Sequence, residues 1–490
     1  MIYRLCLFCF TLWLSLFPAI AKAEIKDCAF REYDIRGHVG SEIDLDEVYD
    51  LSRAIACYYT QKNPDVKTLA LGMDGRISSP AISDKVCSGL LDSGIDVVWI
   101  GLCTSPILYY ANESLDVDGG VMITASHNPK GDNGLKLCMN NQPICGEELQ
   151  EIKRLFKQRR YLNPKSLGTL QSHDMTQNYT SWLTKHFKHL KDKNHSVLFD
   201  CGNGAAGVVL PHLIESLQWD NAGLLYSEVD GNFPNRNSDP TKQENLKGLA
   251  DTLRTTSFDF GIAFDGDGDR MVAMTKDGSL VPGDKLLAIF GKQVAKNNPR
   301  AGVVFDLSCS TGLQELLSAA GALPIMAPIG AVNVRKSMEK YQALLGGEIS
   351  CHFFFKDRHF GFDDGIYAAL RLVETMEEFG QSLDELIEDF PQKFATPTIR
   401  FPCKEEQKDM VVSYFKEHFM KRNNVSLVTL DGVRVAFERG WGLIRPSNTE
   451  PKLSLRFEAD TPEDLTLIKK EFSQILEKFF DAEIIKTYMD

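Results

Sequence analysis

One pattern occurs three times along the chain, and it limits the fold more than any other feature. "KTLALGMDGR" is followed by a helical stretch over residues 81–92 and then "SGIDVVWIG". "HSVLFDCGNG" is followed by 208–217 and "AGLLYSEVDG", and "AGVVFDLSCS" by 312–319 and "GALPIMAPIG". Each copy is a short apolar strand, a polar turn, an amphipathic helix, a glycine and a second strand. That is the βαβ unit, whose strands run parallel with a right-handed crossover. Three copies predict three similar mixed α/β domains, with ligand groups at the carboxyl ends of the strands. After about Thr396 the pattern changes to shorter strands ("VSLVTLDGVRVAF", "KLSLRFEAD") with flanking helices, which predicts a smaller C-terminal α+β domain. A chain of 490 residues is too long for one core and has room for all four. The expected domain boundaries are 26–172, 173–279, 280–392 and 393–490.

Charge narrows the partners. A net charge of −13 argues against nucleic acid, which needs a basic footprint. It also requires an anionic substrate to be captured by a local cluster of Arg and Lys. Residues 1–23 read as a signal-peptide-like leader, with Arg4, an uncharged stretch over 5–21 and then "AKAE". That stretch, with Pro18 near its end, makes a poor membrane span, so no stable span is expected. The alternative is an upstream extension from a misplaced start, because domain-like sequence begins near Cys28. Of 12 cysteines, Cys6 and Cys9 lie in the leader, and the others lack the paired CxxC spacing of zinc or redox sites. Cys57, Cys87, Cys138 and Cys309 lie in apolar runs and are expected in the core. Their scatter suits a reducing compartment, whereas the leader suits export.

Several loops carry chemistry. In "VMITASHNPKGDNGLKL" an apolar run breaks at once into Thr124, Ser126, His127, Asn128 and Pro129. This is either a polar turn or the display of Ser126 as a nucleophile or phosphate carrier. "GNGAAG", Gly202 to Gly207, meets the dinucleotide fingerprint, with Glu228 where a ribose-binding acid would stand. A tight strand-to-helix turn, already required by the repeat, is the preferred reading. "IAFDGDGDR" alternates Asp265, Asp267 and Asp269 with glycine, so an extended loop would turn three carboxylates to one side. Hard oxygen ligands without His or Cys suit Mg²⁺. An EF-hand is excluded, since its glycine and glutamate positions hold Arg270 and Lys276. A phosphatase with Asp265 as covalent nucleophile remains a rival.

"LIRPSNTEPKLSLRF" offers an anion site: the planar fork of Arg445, and donors from Ser447, Asn448 and Thr449, in a loop stiffened by Pro446 and Pro451. "GGEISCHFFF" places Glu348, Ser350 and His352 at alternating positions, which on a strand would share one face suited to sugar hydroxyls.

Together these loops resemble the α-D-phosphohexomutase superfamily, in particular its bacterial phosphomannomutase/phosphoglucomutase type. The resemblance runs from "FREYDIRG" through "TASHNP", "DGDGDR", "GEIS" and "FGFDDGIYAALRL" to "RPSNTEP" and "LRFEAD", in order and spacing. It implies four domains around a central cleft and interconversion of hexose 6-phosphate and hexose 1-phosphate, mannose or glucose. It further implies that Ser126 is a phosphoserine and that Asp265, Asp267 and Asp269 hold one Mg²⁺ against its phosphate. Arg31, His127, Lys136 and Arg270 would neutralise charge during transfer. A hexose 1,6-bisphosphate would serve as intermediate and activator. Glu348, Ser350 and His352 would meet the sugar, and Arg445, Ser447, Asn448 and Thr449 the non-reacting phosphate. The implied partners are sugar phosphates bound by a monomer.

The chain also departs from that pattern. Many relatives carry Lys-Thr-Gly-His where this chain has Pro328, Ile329, Gly330 and Ala331. A lysine common after the third-domain strand is replaced by Ser308, and Cys351 stands within the sugar loop. The changes remove a cation and an imidazole from the expected sugar wall and leave the phosphoryl machinery whole.

Overall fold

The computed structural model describes residues 25–191, 195–447 and 451–489. The leader lies outside the described residues. Among those described, no helix is long and apolar enough to cross a membrane.

Each repeat builds one sheet to the same plan. In the first, the strand Thr68–Met73 runs parallel to both Asp96–Leu102 and Gly119–Ile123. Gly119–Ile123 then pairs antiparallel with Asp132–Met139. In the second, Val197–Asp200 lies parallel between Ala222–Leu225 and Phe260–Phe264, and the latter pairs antiparallel with Met271–Met274. In the third, Gly302–Asp306 lies parallel between Leu323–Ala327 and Leu345–Gly347, which turns antiparallel into Phe353–Phe355. The central parallel strands are covered on both faces, and so they read as unbroken apolar runs. The repeat helices, Ser79–Asp92, Ala206–Leu217 and Thr311–Ala319, begin one or two residues ahead of the apolar periodicity. Caps explain part of this: Pro80 fits the first helical turn, and the Ser310 hydroxyl accepts from the Gly312 amide.

The fourth sheet is antiparallel, in the order Phe394–Ala395, Lys452–Ala459, Gly440–Pro446, Val433–Phe437, Ser426–Val428, with Ile399–Pro402 also on Lys452–Ala459. The helices Lys408–Met420 and Pro462–Leu476 cover one of its faces. The expected α+β character is therefore present.

The helix Gly365–Phe379 ties the second and third domains together. Every residue from Gly365 to Met376 is buried. Asp364 caps it by accepting from the Tyr367 amide, and Gly380, in the left-handed region at φ 63°, ends it. Of the cysteines expected inside, Cys57, Cys138 and Cys309 are buried, whereas Cys87 is half-buried and packs against the edge of the first domain's core. The ten described cysteines are all free thiols.

Candidate active site

The three chemical loops of the repeats occupy one topological position. Each joins the third parallel strand to its antiparallel neighbour: residues 124–131 after Gly119–Ile123, 265–270 after Phe260–Phe264, and 348–352 after Leu345–Gly347. They meet, with the fourth domain's 445–447 segment, around a cavity of about 770 Å³. Nine Arg and Lys side chains line it against five Asp and Glu, so the acidic protein does present the local cationic cluster that an anionic ligand needs.

Ser126 takes a left-handed backbone, φ 51°, which costs a non-glycine residue about 1–2 kcal/mol and must be held by its surroundings. Its amide donates to Thr124 Oγ1 at 2.9 Å, and that hydroxyl donates to Asp74 at 2.8 Å. Arg76, fully buried, donates to the carbonyls of Ser126, Asn128, Pro129 and Asp132. The polar turn of the first repeat is thus the clamp on the serine loop. Ser126 Oγ is then aimed at Asp265 Oδ2, 3.0 Å away, and lies 3.1 Å from His127 Nδ1.

Asp265, Asp267 and Asp269 converge as expected, but on a tight turn rather than an extended segment, because their strand must reverse into Met271–Met274. Gly268 adopts φ 72°, and a Cβ on Gly266 would stand 2.5 Å from the Ser126 carbonyl. These two glycines let the turn approach the serine. Lys136 Nζ bridges Asp267 Oδ2 and Asp269 Oδ2, each at 2.6 Å. Burial, then Asp269 and Asp267, push the Asp265 carboxyl well above the usual range. Burial alone would lower Lys136, but Asp267 and Asp269 hold it well above its ordinary value. For Asp269, Lys136 and His352 outweigh burial and hold the carboxyl down.

The donor set fits a hard divalent cation such as Mg²⁺. One oxygen from each of the three carboxylates lies within 4.8 Å of the others, and Asp267 Oδ1 and Asp269 Oδ1 are buried without a hydrogen-bond partner among the described residues.

Around this centre, burial and then Arg270, Arg36, His352 and Lys136 push the His127 imidazole well below its ordinary value, so it is neutral near pH 7. Arg270 donates its amide to Asp265 at 3.2 Å. Arg31 lines the cavity but donates from Nε to the Arg36 carbonyl at 3.1 Å. Arg36 reaches further in, donating to Asn128 at 3.1 Å and pairing with Asp34. Sequence reasoning missed Arg36, though "YDIRG" contains it, and missed Arg76, whose carbonyl partners lie about 50 residues downstream.

Glu348, Ser350 and His352 all line the cavity. They do so from a turn and not from one strand face, because the chain reverses between Leu345–Gly347 and Phe353–Phe355, with Cys351 at φ 68°. Glu348 accepts the Gly330 amide at 2.7 Å, and burial raises its carboxyl to about 7. His352 Nδ1 lies 2.9 Å from Asp363 Oδ2, a partner that "FGFDDGIYAALRL" contains without any local sign of its role. Ala331 lines the cavity, whereas Ser308 turns away and hydrogen-bonds Asp306 through both amide and hydroxyl. In the fourth domain Arg445 Nε faces Asp431 at 3.0 Å and Ser447 is buried beside it, while Asn448 and Thr449 lie outside the described residues.

The "GNGAAG" turn does not offer a dinucleotide site. The space against Gly202 is filled by the Arg236 guanidinium, 2.3 Å from where a Cβ would stand. The Ala205 amide is spent on the Gly266 carbonyl at 3.0 Å, and Glu228 is exposed, giving only its carbonyl to Asn203. The turn buttresses the Asp loop instead.

Comparison with known proteins is consistent across the chain. Family models match in order: phosphoglucomutase/phosphomannomutase alpha/beta/alpha domain I over residues 27–162, domain II over 177–278, domain III over 282–394, and the C-terminal domain over 399–475. A phosphomannomutase/phosphoglucomutase of Pseudomonas syringae is 40% identical over 467 residues, covering 94% of this chain and 97% of that protein. A phosphoglucomutase of Neisseria gonorrhoeae is 36% identical, covering 93% and 98%. A solved phosphoglucomutase/phosphomannomutase family protein from Burkholderia thailandensis superposes with a TM-score of 0.86 at 31% identity, covering 93% of this chain and 98% of that one. An Aspergillus fumigatus N-acetylphosphoglucosamine mutase solved with glucose 1,6-bisphosphate shares the fold, at a TM-score of 0.57 and 15% identity.

Proposed function

The chain belongs to the phosphoglucomutase/phosphomannomutase family, and from that premise we propose that it interconverts hexose 6-phosphate and hexose 1-phosphate with Ser126 as the phosphoryl carrier. The observation that carries this reading is the convergence of one hydroxyl, three carboxylates and several cations where the loops of the repeats meet. Phosphoryl transfer needs positioning and charge neutralisation more than covalent help from the protein.

A phosphate on Ser126 Oγ would carry a charge of about −1.5 to −2. Arg36, Lys136 and Arg270, whose charges all bear on the neighbouring His127, would offset it. The hydroxyl of a bound hexose phosphate attacks that phosphorus, the bond to Ser126 Oγ breaks, and a hexose 1,6-bisphosphate is left in the cleft. Returned in the other orientation, the bisphosphate gives its second phosphoryl group back to Ser126. Asp265, Asp267 and Asp269, with an oxygen on Ser126, would hold Mg²⁺, which when bound supplies positive charge against the transferring group. Glu348, Ser350 and His352 would accept and donate to sugar hydroxyls. Arg445, Ser447, Asn448 and Thr449 would bind whichever phosphate is not reacting. One chain supplies residues from all its domains to the cavity, a size and lining suited to small sugar phosphates, and we take the monomer as the acting form. The acyl-phosphate rival leaves unexplained why Ser126, in a left-handed backbone, is held with its Oγ 3.0 Å from Asp265 Oδ2.

A coupled assay of glucose 1-phosphate or mannose 1-phosphate conversion, with added bisphosphate, tests the reading. Ser126→Ala is expected to lose turnover by at least about 10³-fold, a small part of the about 10⁶-fold or more by which enzymes exceed solution rates, while keeping its melting temperature. Near-wild-type steady-state conversion by that variant would remove Ser126 from the mechanism.

A further inference from the structure

The third domain brings one Arg or Lys to the cavity lining, Arg335, and it is committed to the first domain. Its Nη2 donates to the Asn141 carbonyl at 2.7 Å, and its guanidinium lies 5.3 Å from the Tyr109 ring centroid. With Ser308 turned away and Ala331 offering a methyl group, this wall supplies little positive charge to a ligand.

The fourth-domain wall does the opposite. In its sheet Ser454 pairs on one side with Arg445 and on the other with Arg400. Directly paired residues project from the same face, so the three side chains form one row. Lys452, two residues before Ser454 on the same strand, shares that face. Arg400 donates from Nη1 to Ser454 Oγ at 3.0 Å, which draws its guanidinium across the intervening strand towards Arg445. Its partner there is a neutral hydroxyl, and among the described residues no carboxylate is paired with it. Arg400, Arg445 and Lys452 all line the cavity beside Ser447.

We propose that Arg400 and Lys452 bind the non-reacting phosphate together with Arg445, and that this strip holds the hexose bisphosphate in the cleft while it turns over. The inference rests on the mutase reading above. A bisphosphate that reverses end for end must let go of both phosphate sites in turn. Cations set in a row along one sheet face let a phosphate pass from one to the next without returning to water. The fork of Arg400 suits phosphate oxygens, and the longer reach of Lys452 suits a phosphate in transit.

The test uses the full chain freed of phosphate by phosphatase treatment and titrated calorimetrically with glucose 6-phosphate. Arg400→Gln and Lys452→Gln are each expected to raise Kd by roughly 10- to 100-fold, the range of a charged hydrogen bond. Arg400→Lys should recover part of the loss, and the half-saturating concentration of glucose 1,6-bisphosphate as activator should rise in parallel. Because Arg400 is exposed, the melting temperature should stay put, which separates charge from packing. A Kd within twofold of wild type in both Gln variants would overturn the proposal. The mutase reading fails separately, if Ser126 never takes up phosphate in the wild-type chain. Loss of binding in the variants would then still uphold the strip as an anion site.

Discussion

Ser126 and the three aspartates were legible because their chemistry is written in adjacent residues: a hydroxyl breaking an apolar strand, and carboxylates alternating with glycine. Arg76, Arg36 and Asp363 were not, because each acts on a partner outside its own local pattern. The Arg76 guanidinium closes on four carbonyls in the serine loop, and nothing in "MDGR" announces that. Glu348 shows a residue whose environment, not its type, decides its behaviour. Burial lifts its carboxyl from an ordinary 4.5 to about 7. A raised folded-state value means that the folded chain binds the proton more tightly than the unfolded one. Its contribution to stability is therefore present below about pH 4.5 and lost as pH rises through about 7. Each pH unit between those two values is worth about 1.4 kcal/mol, so the loss is on the order of 3 kcal/mol. Glu348→Gln can keep the contact to the Gly330 amide without the charge. It should melt higher than wild type at pH 8 and about equally at pH 5, in thermal scans at both pH values. The same difference at the two pH values would show that the carboxyl does not titrate in this way. Sugar binding should weaken in the variant, since a neutral amide replaces a group that can ionise near pH 7.

At the scale of elements, the repeat was visible in the first two strands of each copy, where short apolar runs sit beside amphipathic helices. The third strand of each copy was harder to see. Gly119–Ile123 and Phe260–Phe264 read only as run-ups to motifs, and Leu345–Gly347 is three residues long with two glycines. So the equivalence of the serine, aspartate and sugar loops appeared only once register was known. The alternation of Glu348, Ser350 and His352 suggested a strand because period two is also what a tight reversal can show over five residues. The "GNGAAG" turn is structural, as the repeat required, and its role is specific. Arg236 donates to Asp200 and to the Phe264 carbonyl at 2.7 Å, fixing the end of the strand that carries Asp265. Gly202 leaves room for it at φ 54°. Gly202→Ala should displace Arg236 and destabilise the chain by about 2–4 kcal/mol, from overpacking and a strained backbone together. Its Mg²⁺ half-saturation should rise in the same variant, as measured by metal titration of turnover. An unchanged metal dependence in a destabilised protein would show that the turn supports only the fold.

For the molecule as a whole, the number and kind of domains could be read from the repeat, while the closing of four walls around one cavity came only through the resemblance. The reason is that domain faces meet through contacts scattered along the chain. Arg434 is the clearest case. It lies over the Trp441 ring, 3.8 Å from the centroid, within the fourth domain, and donates from Nη1 to the Leu307 and Cys309 carbonyls of the third. Leu307, Trp441 and Leu443 form a small apolar cluster across the same seam. Arg434→Leu would strand two buried carbonyls, at about 1–3 kcal/mol each. The fourth domain should then loosen from the third, raising KM for sugar phosphate by about tenfold or more, in keeping with about 1.4 kcal/mol per tenfold. Limited proteolysis should detect new cleavage near residues 391–398, where the two join. Wild-type KM and cleavage would show that the seam is held elsewhere.

The mutase reading depends on Ser126 carrying the phosphoryl group between sugars, and a labelling chase reaches that step itself. The purified chain is incubated with hexose 1,6-bisphosphate labelled in both phosphates, stripped of free ligand and chased with unlabelled glucose 6-phosphate, with peptides and sugars analysed before and after. Label should appear on the peptide containing Ser126 before the chase, stable to hydroxylamine, and should pass to hexose phosphate afterwards. Label that sits at Asp265 and is released by hydroxylamine, or label on Ser126 that the sugar cannot remove, would rule the serine out as carrier.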